Sequence, residues 1–221
     1  DFCLSRGLGD VYKRQILAGG APVFVTYDYV EEQLRLMRPD AVLLIGGNFR
    51  LLKKHPNAPY ERRPGAYVSM IDYAMRNNLP TFAICGGMQM MGVYRGARVN
   101  TALNEGLDEK HSHRQKPYEL SHEVQVAKDS LIFRILQQES IWVNSCHNTA
   151  LKGNRRYDFK ITGRAPDGTV EVIEFTHPWS DFVLSVQWHP ERLVKVQDRN
   201  SLKLFAAFIE AAEKYHQKTA D

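Results

Sequence analysis

Cysteine is scarce in this chain. The three that occur among 221 residues, Cys3, Cys85 and Cys146, form an odd and widely spaced set that excludes the disulfide framework of a small secreted domain. A reducing, cytoplasmic setting is the expectation. Long apolar runs are also missing: none approaches the roughly 18 residues needed to span a bilayer, and no secretory signal is visible. Charge of one sign is nowhere concentrated. The formal net charge of +4 is the balance of 29 Lys and Arg against 25 Asp and Glu, and no basic run is interleaved with aromatics. Nucleic acid and membrane are therefore not the expected partners, and a small molecule is. What is present is 43% hydrophobic residues, enough for one good core in a single domain.

Residues 1–15 stand apart from the rest. Asp10 to Gln15, DVYKRQ, reads as the translation of a transposon-end sequencing adapter, and Asp1 to Gly9 has no apolar period. The expected division is an artefact over 1–15, Cys3 included, followed by a single, N-terminally truncated domain over 16–221.

Leu79 to Tyr94, LPTFAICGGMQMMGVY, is the stretch that organises the chain. Thr81 to Ile84 suits a buried parallel strand and Met88 to Val93 a packed helix. Cys85 stands at the junction. Gly86 and Gly87 permit an abrupt turn there, which would push the thiol out over the sheet edge, partly exposed and beside the first free N–H groups of the helix. The positive end of the helix dipole favours a reactive thiolate at such a position. The alternative is a buried structural cysteine.

The remaining pattern alternates strands and helices. Ile16 to Gly20 reads as a helix end, Pro22 to Thr26 as a strand, Asp28 as the cap of a helix running to about Met37, and Ala41 to Ile45 as a strand ending in Gly46 and Gly47. Asn48 to Pro64 is long and polar, which suits a lid or binding segment. Tyr67, Met70, Ile71, Ala74 and Met75 recur at helical spacing. Arg95 to Leu120 reads as irregular. His122 to Val126 and Ile141 to Asn144 read as strands, with Leu131 to Leu136 as a short helix between them. Phe159 to Arg164 and Val170 to Phe175 flank Pro166-Asp167-Gly168, a hairpin signal, and Val183 to Gln187 is a last strand. A closing helix from about Asn200 carries a predicted core stripe of Leu202, Phe205, Ala206 and Ile209. This order predicts an α/β fold, a mainly parallel sheet with helices on both faces. Sites in such sheets lie at the carboxyl ends of strands, where Gly46-Gly47 and Cys85 both fall.

Two other groups carry chemistry. The histidines His111, His113 and His122 are imidazole ligands by type, but no carboxylate or thiolate stands at a matching spacing. Solvated loop histidines with no metal are the preferred reading. Cys146 beside His147 is a rival nucleophile, although it lacks the glycines of a sharp elbow.

His189 and Glu191 bracket Pro190 after the last strand. Residues two apart in extended chain project to one side, so the carboxylate can reach the ring. Fixing one ring nitrogen leaves the other free to take a proton from a thiol. A surface turn is the alternative.

Five separated motifs resemble those of the class I glutamine amidotransferase-like hydrolases, in that family's order. They are LLIGG ending at Gly47, AICGGMQMMGV around Cys85, VNSCHNTA from Val143 to Ala150, APDGTVEVIE from Ala165 to Glu174 and SVQWHPE ending at Glu191. The match spans Ile16 to Phe208 and is nearest the peptidase C26-like branch, the gamma-glutamyl-gamma-aminobutyrate hydrolases. The resemblance implies a flavodoxin-like sheet whose first, central strand is missing here. It implies Cys85 as nucleophile, His189 as general base, Glu191 as the acid that orients it, and the N–H groups of Gly47 and Gly86 as an oxyanion hole. Gln89 and the backbone of Ser145, Cys146 and His147 would hold the glutamyl amino and carboxyl ends. Ala83, Gly86 and Asn148 depart from the family's usual glycine, arginine and histidine.

The expected activity is hydrolysis of small gamma-glutamyl amides through a thioester, with no cofactor and no metal, in a chain able to form a homodimer. Two alternatives are a glutaminase subunit that feeds ammonia to a synthase and a non-catalytic binding protein on the same fold.

Overall fold

The computed structural model describes residues 19–47, 62–108, 112–153 and 157–220. Residues 1–15, Ile16 to Ala18, most of the Asn48 to Pro64 segment and His111 lie outside the described residues.

Seven strands form one sheet in the order β1 (Val42–Leu44), β2 (Thr81–Ile84), β9 (Val183–Val186), β8 (Val170–Phe175), β7 (Phe159–Arg164), β4 (His122–Val126) and β5 (Ser140–Val143). The sheet is mixed. β1, β2 and β9 run parallel, and from β8 onward every neighbour is antiparallel. The turn at Pro166-Asp167-Gly168 joins β7 to β8 as a hairpin, with Gly168 at φ 86°. β3 (Val99–Asn100) and β6 (Ala150–Leu151) pair separately.

Alternation along β2 distributes the core over two faces. Phe82 and Ile84 of β2 pack with Leu184 and Val186 beneath α4 (Leu131–Leu136) and α6 (Arg199–Thr219). Ala83 and Leu44 face the other way, against Ile71 and Ala74 of α2 (Arg62–Arg76) and Met88 and Met91 of α3 (Gly86–Tyr94). Phe82 anchors the first face, meeting Phe205 edge-on at 5.5 Å between ring centres and Phe208 at 5.8 Å. Two caps fix helix starts: Asp198 accepts from Ser201 N, and Ser130 accepts from Phe133 N. Among the described residues no helix is long and apolar enough to cross a membrane.

Several expectations are corrected. Pro22 to Thr26 is not a strand: among the described residues β1 pairs only with β2, and Pro22 to Thr26 has no ladder partner. A cavity of about 1480 Å³, lined by Val23, Val25, Val42, Leu43, Phe208 and Ile209 among others, borders both that stretch and β1. The helix that Asp28 was expected to cap, α1 (Val30–Met37), starts after Tyr29, which holds the cap position at φ 55°. In α6 the buried stripe is Ser201, Leu204, Phe205, Phe208 and Ile209. Leu202 and Ala206 are exposed, because the helix enters the sheet face at Ser201 rather than one position later. Arg95 to Leu120 is not wholly irregular, since it contributes β3.

Candidate active site

Cys85 sits at φ 50° and ψ −106°, between the last residue of β2 and the first of α3. A non-glycine residue there stores roughly 1–3 kcal/mol of backbone strain. The surroundings impose it. Cys85 N–H still donates to Val186 O across the ladder at 2.7 Å, while α3 must begin at the next residue. Gly87 makes the turn fit, because a Cβ there would lie 2.2 Å from Leu44 O of the adjacent strand end. The thiol is more enclosed than the sequence implied, at 7% exposure, and Gln187 Nε2 lies 3.5 Å from Sγ.

The chain leaving β9 brings His189 to the same rim. A Cβ on Gly46, beyond β1, would lie 2.7 Å from His189 Cε1 and 3.1 Å from Cys85 Cβ, so that the three residues meet around one point. Asn144, beyond β5, holds the histidine backbone from both sides: His189 N donates to Asn144 Oδ1 at 2.9 Å, and Asn144 Nδ2 donates to His189 O at 3.1 Å. The ring Nδ1 is 2.6 Å from Glu191 Oε1.

That last pairing is made differently from the expectation. Pro190–Leu193 is a helical turn, α5, with His189 at its N-cap position, so Glu191 reaches the ring from the first turn of a helix instead of along extended chain. Burial opposes charging the ring. The Glu191 carboxylate and then Cys85 outweigh it, and the His189 pKa is raised to about 10. His189 is thus an imidazolium near neutrality.

Gly46 and Gly47 are set by α2. Arg63 Nη2 donates to Gly46 O at 2.5 Å and to Tyr67 OH at 3.0 Å, and Tyr67 OH donates to Ile45 O at 2.8 Å. In a trans peptide the N–H of Gly47 points opposite to the Gly46 carbonyl, hence away from Arg63. Gly86 is the first residue of α3, where backbone N–H groups lack helical partners.

The other expected positions divide. Gln89 lies one turn beyond Cys85, donating to Thr149 O at 2.8 Å, with its Nε2 3.2 Å from Gln187 Oε1. Ser145 and His147 are turned into the protein: Ser145 Oγ is 3.0 Å from His113 Nδ1 and 3.2 Å from His147 Nε2, and His147 N–H goes to His113 O. Cys146 donates to Gln115 O, and burial pushes its thiol up to about 11, which disfavours a thiolate there. The preferred reading of the histidines as solvated loop residues is corrected at His113 and His122. His113 is buried, His122 is half-buried, and both gather at the buried Glu171 of β8. Asn144, Gln187, Thr149 and Arg63 were not singled out from the sequence. Each acts through a contact with a distant segment, which local composition does not reveal.

The peptidase C26 family model matches residues 10–191. The chain belongs to the peptidase C26 family. This C26 hydrolase is 33% identical to the gamma-glutamyl-gamma-aminobutyrate hydrolase PuuD of Escherichia coli K12 over 196 residues, covering 80% of this chain and 74% of the relative. A Schizosaccharomyces pombe protein assigned as a glutamine amidotransferase is 31% identical, with 93% of this chain and 82% of the relative covered. Among solved structures, a Thermoplasma acidophilum protein assigned to GMP synthase superimposes with a TM-score of 0.68 at 19% identity, covering 96% of this chain and 91% of the other. That likeness shows the fold, an α/β sheet of the class I glutamine amidotransferase type.

Proposed function

We propose that this C26 hydrolase cleaves gamma-glutamyl amides of small molecules through a thioester on Cys85. The observation that carries the reading is the meeting of a strained Cys85, His189 and Glu191 at one sheet rim. The sulfur attacks the gamma-carbonyl, and the carbonyl electron pair moves onto oxygen, where the N–H groups of Gly47 and Gly86 receive it. Collapse re-forms the carbonyl and breaks the C–N bond as the His189 imidazolium gives its proton to the leaving amine. Water then adds to the thioester, with His189 taking its proton, and glutamate departs as the thiolate returns. Gln89 and the 145–147 backbone would position the glutamyl group. The identity to PuuD supports the substrate class.

The amidotransferase-assigned relative favours a second reading, a glutaminase acting for a synthase. One assay separates the two. The protein is incubated with gamma-glutamyl-gamma-aminobutyrate and, separately, with glutamine. Amine release abolished by Cys85→Ala is the expected result. Release unaffected by that change would defeat the mechanism, and turnover of glutamine alone would favour the second reading.

A further inference from the structure

Beside this site, three imidazoles converge on one buried carboxylate that the hydrolytic steps do not use. Glu171, on β8, is fully buried, and neither carboxylate oxygen has a hydrogen-bond partner among the described residues. His122 Nε2 from β4 lies 3.3 Å from Glu171 Oε1, yet this nitrogen also lacks a hydrogen-bond partner: the two atoms are close without being aligned. His147 Nε2 is 3.6 Å from the same oxygen. His113 completes the group, its ring centre 5.3 Å from that of His122 and 4.8 Å from that of His147. Ligand atoms of His113, His122 and Glu171 all lie within 4.8 Å of one another.

A buried carboxylate without aligned hydrogen bonds costs several kcal/mol unless a cation faces it, either a protonated His122 or His147 ring or a bound metal ion. Two donors on one tetrahedral zinc, with bonds of about 2.0 Å, stand roughly 3.3 Å apart. The His122–Glu171 separation has that length. The outer nitrogens are anchored as ligating histidines require: Asp167 Oδ2 lies 2.8 Å from His113 Nε2, and Thr149 O lies 3.2 Å from His147 Nδ1. In the neutral rings these bonds leave Nδ1 of His113 and Nε2 of His147 with the lone pairs.

We infer that His113, His122 and Glu171 form a binding site for a divalent, zinc-like cation, its fourth position bordered by His147 Nε2 and Ser145 Oγ. The inference does not depend on the proposed hydrolysis. The site would tie the 112–117 and 144–149 segments to β4 and β8. It would also reach the nucleophile through Thr149 O, Gln89 and Gln187.

The test uses the full chain, stripped by a chelator, with Cys85 capped by iodoacetamide so that its sulfur cannot coordinate. Cobalt(II) is the probe, with zinc as competitor. The expected result is one cobalt per chain, the visible bands of four-coordinate nitrogen and oxygen ligation, displacement by zinc, and a rise in Tm on zinc addition. His122→Asn and Glu171→Gln should abolish the bands and the rise, Asp167→Asn should weaken zinc binding about 10-fold, and the exposed His216→Ala should change nothing. If Glu171→Gln does not fold, the half-buried His122→Asn carries the test. A folded chain that takes up neither metal, or metal uptake unchanged in His122→Asn, would overturn the inference.

Discussion

Asn144 clamps both backbone polar groups of His189, accepting from its N–H and donating to its C=O with one amide side chain. The same Nδ2 donates to Pro117 O, so the residue that holds the His189 backbone also ties down the 112–117 segment. Asn144→Ala leaves the buried His189 N–H without its acceptor, while His189 O still accepts from Arg192 N–H; the loss costs about 1–3 kcal/mol in stability and loosens the loop that carries the imidazole. Because displacement by about 1 Å can cost roughly 100-fold in rate, kcat should fall by about that factor while the KM changes little. Steady-state kinetics and denaturant melts on one preparation check both effects, and Asn144→Asp, which retains only the acceptor, should be intermediate.

Glycine substitutions separate geometry from folding. In Gly46→Ala the new methyl meets the far edge of the His189 ring, whereas in Gly87→Ala it meets the Leu44 carbonyl, which is backbone and cannot yield. Gly46→Ala should therefore fold with nearly native Tm and lose about 100-fold or more in kcat. Gly87→Ala should lose several kcal/mol of stability, a loss of the overpacking type. Equal loss of stability in the two would contradict this account of the rim.

The sequence carries local features of the fold well and distant meetings poorly. β2, β4, β7 and β8 and the helix at Leu131–Leu136 lie where period and turn residues place them, because each is specified by its own apolar run. Pro22 to Thr26 has the composition of a strand but no ladder partner in the structure, and composition cannot supply a neighbour. The Cys85 elbow was visible in its glycines. The orientation of His189 by Glu191 was visible too, although through a helical turn that Pro190 begins. Nothing near Glu171 announced that it would be buried among histidines 24 to 58 positions away, as the residue numbers give for His147 and His113. That group exists only because β8 lies two strands from β4, with β7 between them.

Cys85 and Cys146 should differ sharply in reactivity. Cys146 has a thiol raised to about 11 by burial and donating to Gln115 O, whereas Cys85 neighbours an imidazolium. Of these two, iodoacetamide at pH 7 should label Cys85 and spare Cys146, as peptide mass mapping would record. Labelling should slow at least about 10-fold in His189→Gln, which removes the adjacent positive charge. Cys146→Ser should keep its activity. Preferential labelling of Cys146 would reverse the assignment of the nucleophile.

The His189–Glu191 pair also links stability to pH. The ring titrates near 6.5 when unperturbed and at about 10 in the folded chain, where the Glu191 carboxylate and then Cys85 overcome the opposing effect of burial. Because the folded value is raised, the stabilisation is complete below pH 6.5. Between 6.5 and 10 the folded chain keeps a proton that the unfolded chain has released, so stability falls as pH rises, and above 10 the contribution is gone. Tm measured from pH 6 to 10 should decline in the native chain and decline less steeply in Glu191→Gln, which removes the larger of the two attractions. The same variant should lose about 100-fold or more in kcat, since the ring loses both its orienting partner and its charge. An identical slope in the two proteins would mean that the carboxylate holds the ring in place without holding its proton.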